Sequence, residues 1–212
     1  MKRFILGAMV AGTMLACSQE QVIEVNRAND EITFSVVADN QTKADKLHCN
    51  NNLPEEFRLY AQHIYNGGAY SFIEGDKIIQ YDRHEYLNFH GPRYWPHEGP
   101  VIFYAYYPCD EEHRSKGVKM NWNQGEKPTL EFTVEDNVRY QHDFLYAKKV
   151  QSKSDNSPVE LNFRHGLCQL VFQAKNLNHS LGIVIRGITV CNVAHTNTFT
   201  FPEDDLDNYG NT

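Results

Sequence analysis

"VELNFRHGLCQLVFQAKN", residues 159 to 176, carries the reading of the fold. In its first part Val159, Leu161 and Phe163 alternate with Glu160 and Asn162. In its second part Cys168, Leu170, Phe172 and Ala174 fall on one side of an extended chain. A strand sends successive side chains to opposite faces, so each part predicts a strand with one apolar face.

The same period recurs on both sides of this stretch. "EITFSVV", from residue 31, sends Ile32, Phe34 and Val36 one way and Thr33 and Ser35 the other. "VIFYAYY", from 101, is apolar on both faces, and "TLEFTV", from 129, alternates Leu130, Phe132 and Val134 with Glu131 and Thr133. "GIVIRGITV", from 182, continues the habit. Glu74-Gly75-Asp76 separates "YSFI" from "KIIQY" and predicts a hairpin, while Asn66-Gly67-Gly68 and Asn123-Gln124-Gly125 are turn material. Strands at about ten-residue spacing predict an all-β chain, an antiparallel β-sandwich of Greek-key type. Asp39 to Pro54 and His90 to Gly99 lack the period and predict irregular connections.

Composition narrows the function. The 212 residues carry a formal charge of −7 and no basic cluster, which excludes nucleic acid as a partner. The ten histidines show no i, i+4 pair, and no Cys-x-x-Cys occurs, so no metal or other cofactor is expected. "DDLDNYG", from 204, begins like a calcium loop but has Tyr209 at the fifth place. No Gly-x-Ser-x-Gly elbow and no phosphate-binding glycine loop is present. The expectation is a protein that is not an enzyme. Cys49, Cys109, Cys168 and Cys191 allow three disulfide pairings. Cys168 and Cys191 sit in apolar runs and equally suit buried thiols, so the pairing stays open.

The N-terminus predicts export. Lys2 and Arg3 precede an uncharged run from Phe4 to Ala16, too short to span a bilayer. Met14-Leu15-Ala16-Cys17 resembles a bacterial lipobox, in which the cut falls before the Cys and its thiol receives lipid. Two or more acyl chains, each buried CH₂ contributing about 0.8 kcal/mol, make such an anchor stable. The boundaries expected are a signal peptide over 1–16, a lipidated tether over 17–30, a β-sandwich domain over 31–192, and the start of a missing or truncated second domain over 193–212.

Several phrases, in order, resemble the fimbrillin family, lipoprotein-derived pilins of Gram-negative anaerobes. They are "EVNRANDEITFSV" with "QTKAD", "WPHEGPVIFYAYYP", "HDFLYAKK", "VELNFRHGLCQLVFQAKN" and "GITVCNVAHTNTFTF". The resemblance implies a transthyretin-like sandwich and a lipidated precursor, with Cys17 as the lipid site and the outer membrane as its destination. It also implies a structural or adhesive role in pili, with other pilin subunits bound by strand exchange and a host or bacterial surface ligand as a further partner. In polymerising members a protease removes the N-terminal strand, and Arg27 and Lys43 are the basic residues that flank "EITFSVV". A cut at Lys43 removes that strand and a cut at Arg27 does not. The family's second domain ends in the donor segment, whereas "PEDDLDNYGNT" is polar, which suggests an anchor, a tip or a truncated member. The alternative reading is a surface glycan-binding lipoprotein, with Tyr94, Trp95 and Trp122 as an exposed aromatic platform.

Overall fold

The computed structural model describes residues 30–38, 53–82, 85–88, 90–109, 118–137, 141–153, 157–168, 170–177 and 180–203. Among them there is no helix and there are ten strands. These are β1 (Phe34–Ala38), β2 (Glu56–Tyr65), β3 (Gly68–Asp82), β4 (Glu85–Asn88), β5 (Val101–Tyr107), β6 (Val118–Asn121), β7 (Thr129–Thr133), β8 (Leu145–Gln151), β9 (Val159–His165) and β10 (Thr196–Thr200).

The all-β expectation is met, but where the alternation predicts two open layers, seven strands close into a barrel. Its order is β1-β4-β3-β2-β5-β8-β9, and β10-β7-β6 form a separate three-stranded sheet. Closure depends on β1. It pairs antiparallel with β4 and parallel with β9, from Phe34 opposite Val159 to Ala38 opposite Phe163. Every other ladder is antiparallel.

The apolar stripes explain where each layer goes. Val101, Phe103 and Ala105 point into the barrel with Phe34, Phe57, Leu59, Leu161 and Phe163. The other face of β5 is aromatic, and it too is buried. Tyr104 and Tyr106 lie with Val118, Met120, Leu130, Phe144 and Phe201 in a second core between the barrel wall and the small sheet. Burying a large side chain contributes about 1.5–3 kcal/mol, so a strand apolar on both faces is stable only when covered on both. The stretch from 193, read as the start of a second domain, supplies β10, which pairs with β7, and Phe201, which enters the second core.

Two sequence expectations give way. Glu74-Gly75-Asp76 is not a hairpin turn, because β3 runs straight through it. Leu59 faces Asp76 and Tyr60 faces Glu74, so Gly75 is the extra residue of a β-bulge. Its φ of +77° is left-handed, and a Cβ there would stand 2.8 Å from the Tyr60 hydroxyl. The true turn is Asn66-Gly67, both with positive φ (49° and 75°), the combination a tight two-residue hairpin demands. The second correction concerns "CQLVFQA" and "GIVIRGITV". Their described residues form no strand and are exposed, Cys168 and Cys191 included. Alternation shows which side chains could share a face, but among the described residues no strand pairs with these runs. Cys109, by contrast, is buried and not part of a disulfide, and Cys49 lies outside the described residues.

Candidate functional site

Ile32, Phe34 and Val36 are all buried, Val36 completely, so the alternation of the first strand has become a row of plugs in the barrel interior. Phe34 meets Phe103 edge to face at 5.9 Å between ring centres, and Trp95 meets the same Phe103 from another side at 5.7 Å. Aromatic pairs in this geometry contribute about 0.5–1.5 kcal/mol beyond their buried area.

The backbone leading into β1 is clasped by the irregular segment before β5. Ile32 N donates to Arg93 O at 2.7 Å, Trp95 N donates to Asp30 O at 2.9 Å, and Glu31 forms a β-bridge with Tyr94. That segment is in turn fixed to β3. Arg93 donates twice to Asp76, through Nε at 2.8 Å and through a terminal nitrogen at 3.0 Å, and Asn88 Nδ2 donates to the same carboxylate at 2.5 Å. Burial pushes the Asp76 carboxyl up, but the hydrogen bonds from Arg93 and Asn88 and the Arg93 charge outweigh it. The net result is a pKa below the ordinary carboxylate value. Burial of the guanidinium opposes its charge, yet the Asp76 hydrogen bond is larger and raises Arg93. Asp30 itself is buried and meets Lys153 Nζ at 2.5 Å.

On the far side, Tyr86 of β4 is fully buried and its hydroxyl donates to Pro54 O at 2.7 Å. Burial, with Glu55 nearby, pushes the phenol up to about 12. Thus β1 has hydrogen-bonded neighbours on both edges and aromatic rings beneath it, but no covalent tie besides the chain itself. Taking it out would open two strand edges and the floor of the barrel together. Such an arrangement can hold or exchange an extended segment.

The sequence-derived residues divide around this site. Cys17, Arg27 and Lys43 lie outside the described residues. Tyr94 is half-buried in the clasp, and Trp95 is in the barrel interior. Trp122 packs in the other core against Tyr60 at 5.1 Å and Tyr104 at 6.0 Å, with Nε1 donating to Ser71 Oγ. Sugar rings need neighbouring exposed faces, so these three do not make one platform. Asp30, Asp76, Arg93 and Lys153 were not legible as a set. Their partners lie 17 and 123 positions apart, and no local spacing signals such contacts.

In comparison with known proteins, a family model described as fimbrillin-like fits residues 24–212. No curated protein and no solved structure matches the chain.

Proposed function

The chain belongs to the fimbrillin-like family, and on that premise we propose that it is a pilus subunit whose first strand is a removable plug. Membership makes it a surface-exposed structural component of pili. The finer reading is that β1 fills the barrel in the precursor and that another subunit's strand takes its place in the assembly. The observation that carries this reading is the position of β1, the first strand, which closes the barrel with core side chains and is hydrogen-bonded on both edges. Main-chain bonds would supply affinity for an incoming strand, and the pockets of alternate side chains would supply specificity.

In the same reading Cys17 carries lipid and tethers the precursor to the outer membrane, and a cut at Lys43 separates β1 from β2. A cut at Arg27 leaves β1 in place. The second layer that β10, β7 and β6 lay on the barrel wall supports the transthyretin-like arrangement implied by the resemblance. Mass spectrometry of the mature surface protein tests the processing. A new N-terminus between Ala38 and β2 is expected. A population that keeps lipid on Cys17 and every residue after it would overturn removal of the plug.

A further inference from the structure

A cleft of about 320 Å³ lies on the outer face of the barrel. Gln62 and Ile64 of β2, Ala69 of β3, Ile102 and Tyr104 of β5 and Lys148 of β8 form its wall. The connection from β6 to β7, over 125–128, and the residues after β10, over 201–203, close it from the other side. Neither β1 nor any of Tyr94, Trp95 and Trp122 lines it, so the cleft is independent of the plug and of the three aromatics. Its volume stands at the low end for small-molecule sites, room for one ring rather than for a chain.

Two buried polar side chains in this wall have unused bonding capacity. Tyr104 is 5 % exposed, and among the described residues its hydroxyl has no hydrogen-bond partner. Its ring packs edge to face on Phe201 at 5.1 Å and on Trp122 at 6.0 Å. The hydroxyl is not sealed in, because among the described residues only the Nε of Arg164 is both enclosed and unpartnered. The opening beside Tyr104 is the cleft. Burial raises the phenol, so the hydroxyl keeps its proton and can donate. Gln62 is 4 % exposed, and its Nε2 donates to Glu126 O at 3.0 Å, which leaves Oε1 as an acceptor. One donor and one acceptor thus border the same space, and a buried polar group left unpaired is destabilising.

The charged groups of the cleft are already matched. Lys127 pairs with Glu203, and Asn123 Nδ2 donates to Glu126 at 2.8 Å. Lys148 Nζ donates to Pro202 O at 2.6 Å and to Glu203 O at 2.8 Å. Two lysines and two glutamates cancel. What remains is an apolar wall of Ile64, Ile102 and Phe201 with a neutral donor and a neutral acceptor set into it. An ionic ligand gains little there, and a purely apolar one leaves Tyr104 and Gln62 unpaired. A sugar ring presents both an apolar C–H face and hydroxyls that donate and accept. We propose that the cleft binds one neutral sugar ring, the terminal residue of a glycan, with Tyr104 Oη and Gln62 Oε1 on its hydroxyls. Glu126, Lys127 and Glu203 are exposed at the rim, where the rest of the glycan passes into solvent.

The test titrates the whole folded chain, by saturation-transfer NMR, with the methyl glycosides of glucose, galactose, mannose and N-acetylglucosamine. N-acetylneuraminic acid is the charged comparison. At least one neutral glycoside is expected to bind with a Kd on the order of 1 mM, and more tightly than the acid. Tyr104→Phe keeps the ring and deletes the hydroxyl. It should weaken binding about fivefold to tenfold while the urea midpoint holds, since no protein partner is lost. Ala69→Trp, which fills the cleft from β3, should abolish binding. The assignment is overturned if no neutral glycoside binds at about 50 mM, if binding survives both substitutions unchanged, or if the acid binds more tightly. A midpoint lowered by Tyr104→Phe would equally overturn it, since the hydroxyl would then already be paired within the protein.

Discussion

Asp30 and Lys153, 123 positions apart in sequence, form an ion pair of 2.5 Å where the chain enters the barrel. The Asp30 side chain is buried, at 6 % exposure, whereas Lys153 is more than a third exposed. Solvent therefore screens the pair, and its contribution is nearer that of a surface bridge than of a fully desolvated one. Lys153→Ala is expected to lower stability by about 1 kcal/mol and to speed departure of β1 once the chain is cut. Urea titration and time-resolved mass spectrometry of the fragment read the two effects. Unchanged release would remove the pair from the clasp.

The carboxyl of Asp76 holds Arg93, and through Arg93 the segment that clasps Asp30 and Ile32. Its folded pKa lies below the unfolded one, so the stabilisation is present above the unfolded value of about 3.9 and is lost as pH falls through the folded value. Acidification from pH 5 toward pH 2 should lower the protection factor of the Ile32 amide, its exchange rate being compared with that of an unstructured amide at the same pH. Asp76→Asn should flatten that dependence at the cost of lower stability at pH 7.

Tyr86 has the opposite sign. Its folded pKa is raised to about 12, so its contribution is complete below the unfolded value of about 10 and disappears as pH rises through the folded value. Tyr104, Tyr107 and Tyr146 are also raised, each chiefly by burial, and share in the alkaline loss. Tyr86→Phe should cost about 1 kcal/mol at pH 7 by deleting the hydrogen bond to Pro54. It should also make stability less sensitive to pH between 10 and 12, as followed by urea midpoints.

The bulge at Gly75 and the turn at Gly67 offer a matched pair. Both glycines have positive φ, but nothing stands within 4 Å of a Cβ at Gly67, whereas the Tyr60 hydroxyl and ring crowd one at Gly75. Gly67→Ala should cost about 1 kcal/mol from the backbone alone. Gly75→Ala should cost more and should shift the fluorescence of Trp122, which packs on Tyr60. Equal midpoints for the two variants would contradict the crowding.

What could be read in the sequence was whatever its period determined. Phe34, Val101, Phe103, Leu161 and Phe163 all reached the interior that alternation assigned to them. The double-faced run at 101–107 was covered on both sides. Closure of the barrel was not legible, since it depends on β1 meeting β9 in parallel across more than a hundred residues. Gly75 misled because the residue types that make a turn also make a bulge, and Tyr60 decides between them. The run from Leu170 misled in another way: its pattern is that of a strand, yet a strand also needs an edge to pair with. The clasp of Asp30, Arg93, Asp76 and Lys153 is long-range throughout.

The most direct measurement follows the oligomeric state of the folded chain, by native mass spectrometry, before and after a single cut between Ala38 and Leu53. The account predicts that the intact chain stays monomeric. The cut chain should form oligomers whose subunits have each lost the fragment bearing β1. Oligomers that retain the fragment, or a cut chain that sheds it and never associates, would contradict exchange of the first strand.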